Sequence, residues 1–185
     1  MASTLKVNEI QHINGTSAMT IDTAGRMLKG TGGNLVAFHA YPNANFNTSS
    51  GAYNVDTESN LIFSAVWYNY GGHYNTSTGR FVAPVDGLYQ FTATMAMNSN
   101  SNTYAYLSAE AHQWAGNGST LTRRWIGGWG SKLSGTTAYD RQQNVQTFPL
   151  AAGDGVSMGY EITTAGVPTA GGSPYYTSFV GRLIG

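Results

Sequence analysis

Between Gly87 and Asn98 the chain alternates apolar and polar side chains. Tyr89, Phe91, Ala93, Met95 and Met97 fall on one side, and Gln90, Thr92, Thr94 and Asn98 on the other. Successive side chains of a strand point to opposite faces, so this run reads as a strand with one buried face. Upstream, Gly71-Gly72 and residues 76–79 are turn clusters, and residues 84–87 form a Pro/Gly break. The rest of the chain keeps the same rhythm. Strands are expected near residues 35–41, 61–68, 79–85, 87–97, 103–114, 122–128, 140–150, 156–163 and 175–184. No stretch carries helical periodicity. Many short strands separated by Gly, Asn, Ser and Pro clusters imply an all-β, antiparallel jelly-roll sandwich.

With 185 residues and 41% hydrophobic content, one domain can bury roughly 70% of its unfolded surface. Lys+Arg 9 balances Asp+Glu 9, so no net field draws the chain to nucleic acid or to an acidic membrane. The absence of cysteine excludes a disulfide framework and thiol chemistry. The first residues lack the basic start and apolar run of a secretion signal, and no later stretch is long enough to span a bilayer as a helix. Synthesis in a cytoplasm without a built-in export route is expected, with no membrane insertion.

Two domains are expected, residues 1–33 and 34–185. In the first, Leu5, Val7, Ile10 and Ile13 precede an Asn14-Gly15 turn, and Met19 and Ile21 precede a second turn at residues 22–25. Such short strands bury too little to fold alone, so this segment is expected to pack on copies of itself or on a partner. The final strand points the same way. Tyr175, Thr177, Phe179, Gly181 and Leu183 make one face, while Tyr176, Val180 and Ile184 make the other face apolar too. A strand buried on both faces calls for another copy of the chain or for cover by the N-terminal segment.

The run Asn69, Tyr74, Gly79, Phe81, Pro84, Gly87, Leu88, Tyr89 and Phe91 resembles the signature of the complement C1q globular head, a jelly roll of the tumour-necrosis-factor superfamily. Leu150, Gly153, Asp154 and Val156, and then Phe179, Gly181 and Leu183, match two further blocks in order, so the resemblance covers residues 35–185. It implies about ten strands, a compact homotrimer, and Tyr74, Phe81, Tyr89, Phe91, Phe179 and Leu183 as structural core. Family members are non-enzymatic recognition heads, and some hold calcium near the trimer apex. These 185 residues contain no collagen-like Gly-X-Y repeat, no secretion-signal pattern and no cysteine.

Residues 1–33 resemble, more loosely, the opening segments of bacteriophage tail-fibre proteins. That implies a virion protein, bound to other virion proteins through residues 1–33 and meeting a host surface receptor, such as a glycan, with its head. The expected function is therefore a trimeric tail-fibre or appendage tip used in host attachment. The alternatives are a capsid decoration protein that stabilises the shell and a cellular recognition module of the complement-head type.

Candidate chemistry is sparse. His12, His39, His73 and His112 lack metal-site spacing, and no nucleophile elbow is present. Asp56, Glu58, Asp86, Glu110, Asp140, Asp154 and Glu161 are scattered, so paired acids for hydrolysis cannot be named, and no enzyme is expected. Asp56 and Glu58 share a polar loop that suits calcium only with backbone help. Trp114, Trp125, Trp129 and Tyr139 border glycine-rich stretches. Loop aromatics beside Asn, Ser and Gln stack on sugars or anchor protein partners, and they fill cores equally well. Arg123 and Arg124 adjoin Trp125 and suit an acidic sugar or a neighbouring subunit.

Overall fold

The computed structural model describes residues 9–11, 17–21, 27–29, 35–48, 50–57, 59–98, 104–116, 120–127, 130–132, 139–164, 169–173 and 175–185. They divide into two compact units, Met1–Leu35 and Val36–Gly185. In the first, β1 (Glu9–Gln11), β2 (Ser17–Ile21) and β3 (Met27–Lys29) form an antiparallel sheet in that order, with Ile10 opposite Met19.

The second unit begins with β4 (Ala37–Tyr41), β5 (Phe46–Asn47), β6 (Gly51–Asn54), a single 3-10 turn (Ser59–Leu61) and β7 (Ala65–Tyr70). Then come β8 (Tyr74–Asn75), β9 (Arg80–Val82), β10 (Gly87–Asn98), β11 (Tyr104–Ala115), β12 (Thr120–Ile126) and β13 (Gly130–Lys132). β14 (Tyr139–Leu150), β15 (Gly155–Thr164), β16 (Thr169–Ala170) and β17 (Ser178–Leu183) complete it. The first sheet runs β5-β16-β10-β17-β4-β7, with β14 also on β10. The second runs β12-β11-β15-β9-β8, with β13 on β11 and β6 on β15. All pairings are antiparallel, and the chain changes sheet between β10 and β11 and again between β14 and β15. This is the expected jelly-roll sandwich.

Tyr89, Phe91, Ala93, Met95 and Met97 all point into the sandwich and are buried. Farther along β10 the alternation gives way, because Thr94 and Ala96 are buried as well. The segment before β17 covers them: Thr177 Oγ1 accepts from Ala96 N, and Gly171 N donates to Ala96 O. Across the core, Phe38, Tyr74 and Phe81 stack at 4.7 and 5.4 Å between ring centres, and Phe91 stacks on Phe148 at 5.3 Å and on Phe179 at 5.7 Å. Leu183 lies partly buried against this cluster.

Turn chemistry holds the signature in register. Asn69 Nδ2 donates to Tyr74 O and its Oδ1 accepts from Tyr74 N, which closes the Gly71-Gly72 hairpin. Gly79 closes the next turn with φ 68°, and a Cβ there would lie 3.0 Å from Ile62 Cα. Only glycine meets both demands cheaply.

Two element boundaries differ from expectation. Residues 59–61 wind into the 3-10 turn, so the strand expected at 61–68 starts at Ala65. The strand expected at 175–184 starts at Ser178, because Tyr176 N and Thr177 N both donate to Ser173 O and curl the chain.

A Cβ on Gly181 would sit 2.4 Å from the Phe38 ring and 2.7 Å from the Phe91 ring, both immobile in the core. Gly181→Ala should therefore cost about 1–3 kcal/mol through overpacking. For a chain of this size that lowers the melting temperature by about 2–4 °C per kcal/mol. Gly185→Ala, with open space around its Cβ, serves as the control. Equal thermal melts for the two variants would refute this account of the core.

Candidate functional site

The outer surface of the second sheet carries a buried charge cluster. On β11, Leu107, Ala109 and Ala111 face the sandwich, so Ser108, Glu110 and His112 face away from it, yet all three are buried. Arg124 on β12 lies opposite His112, and Glu161 on β15 lies opposite Ser108. Arg124 grips Glu110 with two bonds, Nε to Oε2 at 2.8 Å and NH2 to Oε1 at 2.6 Å, and NH2 also reaches Glu161 Oε2 at 2.7 Å. His112 Nε2 lies 2.7 Å from Glu110 Oε2, and Ser108 Oγ donates to Oε1. Gly159 makes the room, since a Cβ there would lie 2.3 Å from the His112 ring.

Burial alone would push the Glu110 carboxyl up, but the bonds from His112 and Arg124 outweigh it and hold the pKa at about 2. Hydrogen bonding to Glu110 raises the Arg124 guanidinium in turn. A carboxyl ionised this strongly cannot donate a proton near neutral pH. The fold thus brings two of the scattered acids together, but with an arginine between them, as a structural clamp and not a hydrolytic pair.

The first sheet presents a different outer surface. Cross-strand partners align Tyr68, His39, Val180, Thr92 and Val145 in one row over five strands. The adjoining row is Tyr70, Ala37, Arg182, Gln90 and Thr147. A bulge between His39 and Ala40 turns Trp67 outward beside Tyr68, so His39 meets Trp67, Tyr68 and Tyr41 edge-on at 5.1, 6.0 and 6.4 Å. His39 Nε2 is buried without a hydrogen-bond partner, and burial lowers its pKa. Trp67 is 56% exposed and Val145 52%. The face is broad and aromatic, and Arg182 is the one full charge in these two rows. It also holds a groove of about 270 Å³ at Tyr68, Thr92 and Val180.

At the lateral edge of the sandwich, Arg123 lies over the Trp125 ring at 5.0 Å, and Trp125 stacks on Phe148 at 4.5 Å with the planes 2° apart. Trp125 Nε1 donates to Gln113 Oε1 at 3.4 Å. These residues line a cleft of about 350 Å³ together with Thr122, Pro149 and Asp154.

Several expected contacts move accordingly. Trp114, expected at the end of a strand with surface and core both open, sits buried on β11, donating from Nε1 to Ser157 Oγ at 2.9 Å, with Arg80 stacked over it at 4.1 Å. Arg124 is committed to the carboxylate clamp, so the pair Arg123-Arg124 splits onto opposite faces of β12. Tyr176 leaves the last strand for the turn before it, whereas Val180 and Ile184 keep the parity of the outer face. Trp129 and the side chain of Tyr139 lie outside the described residues; the Tyr139 backbone opens β14 opposite Asn98. Both Asp56 oxygens lie 2.7 Å from Arg80 NH2, and Glu58 lies outside the described residues. Among the described residues, no cluster of His, Asp and Glu could hold a metal. The signal for the clamp was present only as register, since residues 110, 124 and 161 meet through strand pairing alone.

Comparison with known proteins places this arrangement. The family model described as the C1q domain matches residues 41–123. Complement C1q tumor necrosis factor-related protein 6 of Rattus norvegicus is 40% identical over 47 residues, 25% of this chain and 18% of that protein. Complement C1q tumor necrosis factor-related protein 3 of Homo sapiens is 44% identical over 50 residues, 26% and 20%. The matches thus span about a fifth of these relatives' lengths. Among solved structures, Eiger TNF from S. frugiperda superposes with a TM-score of 0.54 at 16% identity, over 82% of this chain and 94% of that one. Murine APRIL gives 0.52 at 13% identity, over 80% and 98%. The fold is accordingly a C1q/TNF-like jelly roll.

The clamp makes a pH-resolved prediction. The Glu110 pKa falls on folding from 4.5 to about 2, so its contribution is complete above about pH 4.5 and is lost as pH falls through 2. Glu110→Gln should lower stability by about 1–2 kcal/mol at pH 7, because the buried carboxylate is lost to a half-buried guanidinium that still keeps Glu161. The gap between the urea midpoints of the two proteins should narrow between pH 5 and pH 2. A gap independent of pH would show that the carboxylate charge is not what stabilises the sheet.

Proposed function

We propose that the jelly-roll unit is a non-enzymatic recognition head that assembles as a homotrimer through the outer face of its first sheet. The observation that carries this reading is the row Tyr68, His39, Val180, Thr92 and Val145. It spans five strands without a full charge, whereas a face left in water is ordinarily polar. Burying it against two further copies would cover Trp67 and Val145 and leave the charged second sheet outside. The C1q/TNF-like fold supports the reading, because homotrimers are what that resemblance implied.

The setting is that of a cellular recognition module of the complement-head type. The matched relatives are complement C1q-related proteins, and no virion protein stands among the relatives described, so the tail-fibre reading of residues 1–33 is without support. Capsid decoration shares that virion setting and the same lack of support. The three-stranded sheet of the first unit is too small to be stable alone and is assigned here as the attachment element of the head.

Light scattering on the eluting protein tests the assembly. A trimer should weigh about 59 kDa, three times 19.7 kDa. Val180→Asp places a charge in the middle of the row and should give the monomer mass with the same far-ultraviolet spectrum. A monomeric parent protein, or a variant that stays trimeric, would overturn the interface.

A further inference from the structure

The cleft at the sandwich edge carries a feature that the core does not require. On the inner face of the second sheet, Leu107, Ala109 and Ala111 are buried, and the next residue of that parity on β11 is Gln113. Its partner on β12 is Arg123, just as Trp125 partners Ala111. Two positions whose parity points inward are thus polar, at the end of the sandwich where apolar side chains are the rule. Breaks in such a pattern are expected at functional or strained sites.

Arg123 is also held in place. Its guanidinium rests on Trp125, which is fixed from beneath by Phe148 and at its edge by Gln113. It forms no ion pair or hydrogen bond with another described residue, so among the described residues its N–H fork is unspent. The acid sharing the cleft is not paired with it: Asp154 Oδ1 accepts from Gly116 N and Oδ2 from Ala151 N, which ties that carboxylate into its own turn with its charge retained. The cleft therefore combines a pre-positioned cation with apolar walls at Phe148 and Pro149.

We propose that this cleft binds an acidic side chain of a peptide segment from a protein partner, with Arg123 as the carboxylate fork. A guanidinium matches the two oxygens of a carboxylate, and a volume of about 350 Å³ accommodates one glutamate or aspartate side chain with its neighbouring backbone. A sugar is the weaker fit. Sugars stack on an open aromatic face, and both faces of Trp125 are covered, by Arg123 and by Phe148. The proposal rests on the recognition reading but not on assembly, because the cleft is complete within one copy.

The test uses the full chain, labelled for nuclear magnetic resonance and titrated with three probes: a blocked Gly-Glu-Gly peptide, its Gly-Gln-Gly twin, and N-acetylneuraminic acid. The glutamate peptide should shift the Trp125 indole signal saturably. Affinity should fall at least tenfold with the glutamine twin and with Arg123→Gln. Arg123→Lys, which keeps the charge but loses the fork, should fall between. Equal binding of the twin, an unchanged Arg123→Gln, or no shift at millimolar peptide would each overturn the proposal. So would Arg123-dependent binding of the acidic sugar in preference to the peptide. Thermal melts establish that each variant is folded. The light-scattering mass of the same sample reads assembly separately, so a trimer that ignores the peptide refutes this site alone.

Discussion

Five aromatic rings converge on Phe91. Phe38, Phe81, Tyr89, Phe148 and Phe179 all have centres within 6.5 Å of it, and they come from both sheets. The two sheets of a sandwich share no backbone ladder, so their spacing and angle depend on such side chains. Phe179 and Phe148 lie on the strands flanking β10, directly opposite Ala93 and Tyr89. The absence of a side chain at Gly181 leaves space for the Phe38 and Phe91 rings. The stack therefore fixes the register of β10, β14 and β17 together, and with it which residues of those strands are left facing outward.

From that register the outer faces follow without further choice. Once Phe179 and Gly181 point in, Val180 and Arg182 point out beside Gln90 and Thr92. The same logic on the second sheet sends Ala109 and Ala111 inward and leaves Glu110 and His112 outside. The two exteriors then differ in chemistry. One is aromatic and nearly uncharged. The other offsets buried charge with Arg124 and the Ser108 hydroxyl, a clamp that stabilises only while every partner is present.

Much of the architecture was legible in the chain. The alternation at Tyr89, Phe91, Ala93, Met95 and Met97 names the buried face because its period is that of a strand, and long strands such as β11, β14 and β15 announce themselves likewise. Two-residue strands such as β5, β8 and β16 could not be read, since so short a piece has no period. The site was less legible for a related reason. Trp114 and Trp125 fall in expected strands beside glycine-rich stretches, where the sequence leaves surface and core equally open, because burial is decided across strands. Glu110, Arg124 and Glu161 are joined only by pairing between β11, β12 and β15. Arg123 and Arg124 look like one basic pair, and the pleat sends them to different surfaces.

The seam between the start and the end of the second unit has a mechanical side. Val36 O accepts from Leu183 N, and Leu88 exchanges backbone bonds with Ile184 and Gly185, so the first and last residues of the unit meet at one end of neighbouring antiparallel strands. Tension applied to those two points would load the β4–β17 ladder one rung at a time, as in opening a zipper, and would not shear all rungs together. A head pulled in this way yields at low force, whereas a pull borne through its faces spreads over the whole sandwich. The direction of loading, more than the size of the core, sets how readily this unit opens.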